Sequence, residues 1–183
     1  MRIKIKKLGL ICSLICTVFL SACSSIHSPF VIGQAVEFSD DEIGNETVWK
    51  IDDEIYHVRV VGSNAVAVGE VKWDQTNRTH TVETTEIILS ELDGYRFLNV
   101  KEDNSFLICY MAVSGERNVV FYPVNENIKK HLSSGNIERV EKEGAYLLKG
   151  SKKEIDEFVR SNLNSLFDTN SPLVAELVCG EIK

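Results

Sequence analysis

The sequence predicts a mainly β fold, an antiparallel meander forming a sheet or a barrel. It adds a short helix over about 126–134 and an amphipathic helix over about 152–167. Three observations predict it. Turn-forming clusters recur at intervals of about 8 to 12 residues from Thr47 to Val124, the spacing of an antiparallel meander, sandwich or barrel. The segments between them are rich in β-branched and aromatic residues, and several alternate apolar with polar. A helical period appears only late in the chain.

The elements follow in order. Residues 31–38 suit a first strand or a packed arm. Strands are expected over 47–51, 55–61, 65–73, 79–90 with a break near Thr84, 95–101, 105–113 and 118–124. The punctuation between them is Asp52-Asp53, Gly62-Ser63-Asn64, Asp74 to Asn77, Asp93-Gly94, Glu102-Asp103-Asn104 and Ser114 to Arg117. Tyr56, Val58 and Val60 alternate with His57 and Arg59, which marks a half-buried strand. Residues 105–113 are apolar on both faces, so this strand should be central, with something packed on each side. Asn125 to Ser134 places Ile128 and Leu132 on one helical face, and Gly135 is its stop. Ser151 and Glu154 form a capping box, behind which Ile155, Phe158, Val159, Leu163, Leu166 and Phe167 fall at helical spacing. Strands over 145–149 and 173–181 flank that helix.

Composition narrows the function. The chain has 183 residues, 44% of them apolar and 26% charged, the balance of one folded domain rather than a disordered chain. A net charge of −7 offers no basic footprint for nucleic acid.

The amino terminus is an address. Arg2, Lys4, Lys6 and Lys7 precede an uncharged run from Leu8 to Leu20. As a helix that run is roughly 20 Å long, too short for a bilayer core of about 30 Å. A basic start, a short apolar run and small residues after it make an export signal. Leu20, Ser21, Ala22 and Cys23 resemble the lipobox of bacterial lipoproteins. The resemblance implies cleavage before Cys23 and covalent diacylglyceryl lipid on its thiol, with no other cofactor. It divides the chain into a signal peptide (1–22), a lipidated tether (23–30) and a single β-rich globular domain (31–183). It also implies a Gram-negative cell envelope and a bilayer partner reached through the acyl chains. Ser24 stands where an aspartate would signal inner-membrane retention, which points to the outer membrane, facing the periplasm. The strand number and meander order resemble lipocalin-like barrels, although Glu46-Thr47-Val48 precedes Trp49 where a lipocalin carries Gly-x-Trp.

Cleavage changes the arithmetic. It removes four basic side chains and no acidic one, leaving 16 against 27 and a net of −11. An acidic body is repelled by anionic lipid surfaces, so it is expected to stand off the bilayer. Of five cysteines, Cys12 and Cys16 leave with the signal and Cys23 takes lipid. Cys109 and Cys179 remain, both in inward-looking rows. A disulfide between them would close a loop of about 70 residues, worth roughly 4 kcal/mol; the alternative is two separate buried thiols.

Catalytic and metal signatures do not emerge. His27, His57, His80 and His131 lack the spacing of a local metal site and read as tether, outer-face and helix-surface residues. The acidic clusters Asp40-Asp41-Glu42 and Asp52-Asp53-Glu54 lack the alternation and mid-loop glycine of a calcium loop. Neither a Gly-x-Ser-x-Gly elbow nor a phosphate loop is present. The sequence therefore points to a non-enzymatic module binding a protein partner, as an inhibitor, immunity protein or envelope accessory. The alternative is a carrier or sensor of a small apolar ligand, for which the aromatics of the β region would line a cavity.

Overall fold

A computed structural model describes residues 24–37, 46–51, 54–61, 65–74, 79–114, 118–140 and 144–179. Twelve strands form in chain order: β1 (Ser25–Ser28), β2 (Gln34–Ala35), β3 (Glu46–Ile51), β4 (Glu54–Val60), β5 (Ala65–Asp74), β6 (Thr79–Leu92), β7 (Tyr95–Lys101), β8 (Phe106–Ser114), β9 (Asn118–Tyr122), β10 (Ile137–Arg139), β11 (Ala145–Leu148) and β12 (Leu173–Cys179). A 3-10 helix spans Glu126–Ser134 and an α-helix, α1, spans Lys152–Leu166.

Eight strands, in the order β8-β7-β6-β5-β4-β3-β12-β9, close into an antiparallel barrel when β9 pairs with β8. Consecutive strands pair because their connections are short. Asp93 and Gly94 form a two-residue turn with φ of 53° and 83°, the left-handed pair that a tight hairpin needs. Only β12 is recruited from far along the chain, slotting between β3 and β9 with an irregularity at Leu177/Cys179.

The ladder fixes the barrel's proportions. Followed from Val113 through Val119, Ala175 and Ile51 and on around the wall, it returns to β8 twelve residues before its start. The eight-stranded β/α barrel closes with a stagger of about 8 and is packed solid. A larger stagger at the same strand number tilts the strands more and widens the interior.

A second layer covers one side. The first residues of β8 pair with β1 (His27↔Leu107, Ser28↔Phe106), which pairs in parallel with β11, and β11 with β10. This flap, α1 and the 3-10 helix pack on the outer face of β7 and β8. They enclose Phe97, Ile108, Ile26, Tyr146, Leu148, Ile128, Ile155, Val159 and Leu166. The Ser151 capping box forms as the sequence implies, and Ile155, Phe158, Val159, Leu163 and Leu166 all point inward.

Three sequence expectations change, and a fourth, left with two alternatives, is decided. Residues 25–28, expected to be tether, form β1, with Ile26 1% and Ser28 0% exposed. Of the two readings for 31–38, the described residues 31–37 take the packed arm, with only Gln34–Ala35 forming a strand. β6 runs unbroken through Thr84, because β5 pairs with it along its whole length. Leu132 is exposed although Ile128 is buried. In a 3-10 helix positions three apart share a face, so His131 takes the place that Leu132 would hold at helical period.

Candidate functional site: the barrel lumen and its mouth

Alternation along the strands sends one row of each into the barrel. The lumen is lined by Trp49, Val58, Val66, Ile87, Leu89, Val100, Leu107, Cys109, Met111, Phe121, Ala175 and Leu177. Among the described side chains the inward rows are mostly apolar, with Thr47, Thr85, Glu91 and Arg96 as polar members. Thr47, buried on β3, takes a hydrogen bond from the Trp49 indole nitrogen at 2.8 Å, so that polar pair is satisfied within the wall.

The lumen is less tightly filled than the outer cluster. Val68 and Leu98 point inward from mid-strand positions with partners on both sides, yet both are only half-buried. Ten of the twelve largest fully buried side chains belong to the outer cluster; Thr47 alone belongs to the lumen wall. Side chains in a close-packed interior leave no room for solvent. Val68 and Leu98 thus remain partly accessible although they pack against the lumen cluster.

Among the described side chains, charge enters the inward rows near one end. Glu91 and Arg96 face each other across β6 and β7, both half-buried. Beside them a cavity of about 420 Å³ is lined by Arg96, Met111 and Val113 of inward rows and by Tyr95 and Tyr110 of outward rows. It opens where β7 ends at Tyr95 while β8 continues to Ser114. Tyr110 lies between Tyr122, with ring centroids 4.7 Å apart, and Tyr95, at 6.1 Å. Burial, reinforced by the neighbouring Tyr122 and Tyr95, raises its hydroxyl above the usual tyrosine range.

The other candidate residues fall as follows. Cys23 and the Leu20, Ser21 and Ala22 before it lie outside the described residues. Cys109 is buried in the lumen wall, whereas the side chain of Cys179 lies outside the described residues. Through β9, Leu173 stands level with Met111, and Cys179 is six residues further along β12, roughly 20 Å of strand at about 3.3 Å per residue. A disulfide needs Cα atoms within about 7 Å, so this register does not bring the two cysteines together. His57 is exposed on the outer face of β4; the side chain of His80, Asp40-Asp41-Glu42 and Asp52-Asp53 lie outside the described residues.

His27 and His131 are engaged in ways the sequence does not announce. His27 Nδ1 lies 3.1 Å from Glu102 Oε2, and its Nε2 lies 2.9 Å from Ser25 Oγ. This chain clasps β1 to the β7–β8 turn. His131 Nε2 lies 2.8 Å from Ser165 Oγ, and its ring meets Phe158 edge-on.

Sequence reasoning missed Glu91 and Arg96 as facing inward charges. Their only signal is the Asp93-Gly94 turn, which sets the register that opposes them. Comparison with family models, characterised proteins and solved structures found no match for this chain.

Proposed function

We propose that the protein is a lipoprotein of the bacterial envelope, acylated on Cys23 at the periplasmic face of the outer membrane, whose barrel carries or senses a small apolar ligand. The observation that supports this reading is the closed eight-stranded barrel with a mostly apolar row of described side chains inside it, among which Val68 and Leu98 are only half-buried. Eight-stranded barrels of sufficient width hold one small ligand in this way. Of the two functions raised by the sequence, the barrel favours this one. The protein-partner reading draws on the acidity and the absence of catalytic motifs, neither of which explains an open interior.

The test is binding of an apolar fluorescent probe, N-phenyl-1-naphthylamine, to the purified protein. Leu98→Trp and Val68→Phe fill the lumen. Each should weaken binding by at least about tenfold, equivalent to about 1.4 kcal/mol. The circular dichroism spectrum should stay that of the parent. Probe binding unchanged by both substitutions, or absent from the parent protein, overturns the reading.

A further inference from the structure

The two mouths of the barrel can be told apart by height. The ladder slips twelve residues over eight strand-to-strand steps, so positions at equal height drift by about one and a half residues per strand. Counted in this way from Val113 on β8, the rim passes Val178 on β12, Val61 at the end of β4 and Tyr95 on β7. These four are 51%, 53%, 50% and 42% exposed. Exposed apolar side chains scattered singly need no explanation, but these four stand at one height on β8, β12, β4 and β7, an apolar part of a rim that also carries Asn118 on β9 and Glu91 on β6. The cavity beside Arg96, Met111 and Val113 opens through the same rim.

The chain enters the second layer heading away from this end, with Ser25 level with Cys109 on β8. β1 runs antiparallel to β8, so its amino end points toward the mouth where β8 finishes. Cys23 precedes Ser25 by two residues, and a chain extends at most about 3.5 Å per residue. Whatever path those residues take, an acyl group on Cys23 joins the main chain within roughly 7 Å of Ser25. β1 itself is fixed in the second layer, with Ile26 1% and Ser28 0% exposed, so the described chain from Ser25 onward adds no slack between the anchor and the body.

We propose that this rim docks on a lipid bilayer and that the lumen exchanges its ligand directly with the membrane; the ligand part rests on the small-molecule reading above. Valine and tyrosine at the rim suit the interfacial zone, where tyrosine presents an apolar ring and a polar tip. The acidic body disfavours anionic lipid, so the surface engaged is zwitterionic. The ligand is then a bilayer-soluble apolar molecule rather than a water-soluble one.

The test uses the full acylated protein in phosphatidylcholine vesicles carrying doxyl-labelled phosphatidylcholine. An environment-sensitive fluorophore is attached to Val113→Cys at the rim or to Asn104→Cys in the turn at the opposite end, both in a Cys179→Ser background. The bilayer quencher should extinguish the Val113 probe at least severalfold more than the Asn104 probe. The combined variant Val61→Asp and Val178→Asp, neither of which lines the cavity, should bind N-phenyl-1-naphthylamine in solution as the parent does. Its transfer of the probe from vesicles should be slower by about tenfold, since added charges resist the interface. Equal quenching at both sites overturns the docking. Preferential quenching at Val113 with unchanged transfer overturns direct exchange. Failure of the parent to bind the probe at all strikes the small-molecule reading and leaves the quenching comparison to decide docking.

Discussion

Asn99→Ala should be among the costliest single substitutions in the protein. Asn99 is fully buried on the outer face of β7, beneath the arm that follows β1. Its Oδ1 accepts from the Ile32 backbone N–H at 2.8 Å, and its Nδ2 donates to the Ile88 carbonyl at 3.1 Å and to Ser90 Oγ at 2.7 Å. Truncation leaves a buried N–H without its acceptor and removes two further bonds. A stranded buried polar group costs about 1–3 kcal/mol, and the vacated volume adds to that, for a total of about 3–5 kcal/mol. At roughly 2–4 °C per kcal/mol in a chain of this size, the melting temperature should fall by about 10 °C. Urea unfolding followed by circular dichroism gives the free energy, and amide exchange at Ile32 shows where it is lost. Asn99→Asp keeps the acceptor for Ile32 but loses both donors, so it should destabilise globally while Ile32 keeps more protection than in the alanine variant. A loss below about 1 kcal/mol for Asn99→Ala, with Ile32 still protected, would refute the role assigned to this residue.

Four further outcomes are expected. Gly33→Ala should destabilise by about 2–4 kcal/mol, because φ is +68° and a Cβ would sit 2.2 Å from the Glu91 carbonyl oxygen; equal melting temperatures would contradict that contact. Ser151→Ala should cost about 1 kcal/mol of the capping box. The Glu154 carboxyl is held below its usual range first by the Ser151 backbone N–H and then by the Ser151 hydroxyl. That contribution is therefore present above the unfolded carboxylate range and lost as pH falls through the folded value, so Glu154→Gln should flatten the acid limb of a stability–pH curve and leave the alkaline limb alone. Tyr110 has the opposite sign. Its raised hydroxyl favours the fold while protonated, so stability should be intact below about pH 10 and decline above it. Tyr110→Phe should remove part of that decline, measured by urea midpoints across the alkaline range and by the loss of one late-titrating phenol in the ultraviolet spectrum.

The legible parts of this fold were those governed by local rules. The Ser151-to-Glu154 box, the Gly135 stop at φ +78° and the Asp93-Gly94 turn are set by backbone chemistry within four residues, and each stands where the sequence places it. The two-sided apolar character of residues 105–113 also translated directly: Leu107, Cys109 and Met111 enter the lumen while Phe106, Ile108 and Tyr110 face the helices. What escaped was non-local. Ser25-Ile26-His27-Ser28 is short and mixed, and it becomes a strand because β8 and β11 both offer it backbone partners. The exposed rim drew no notice because Val61, Tyr95, Val113 and Val178 are spread over more than a hundred residues, and only the stagger of the ladder brings them to one height.

The distribution of burial between the two clusters bears on why a barrel of this kind carries an external helix at all. A protein that keeps its interior open forgoes the packing which stabilises most small barrels. Here the compensation is external. Phe97, Phe167, Tyr146, Ile26 and Leu166 are each no more than 1% exposed, and all belong to the outer cluster. The helix end is tied back to the wall by Asn125 N–H to the Leu166 carbonyl at 2.8 Å and Asp168 N–H to the Pro123 carbonyl at 2.7 Å. The arm is fastened by the Gly33 N–H to Asp156 at 3.0 Å and by Lys152 to the Gly33 carbonyl at 2.8 Å. If the lumen holds the proposed ligand, stability and ligand space draw on different side chains. A Leu166→Ala cavity should cost about 2–5 kcal/mol, whereas Val68→Ala, already bordering open space, should cost far less. Were the two losses equal, the lumen would be as closely packed as the outer cluster, and the case for a ligand inside it would fall with that result.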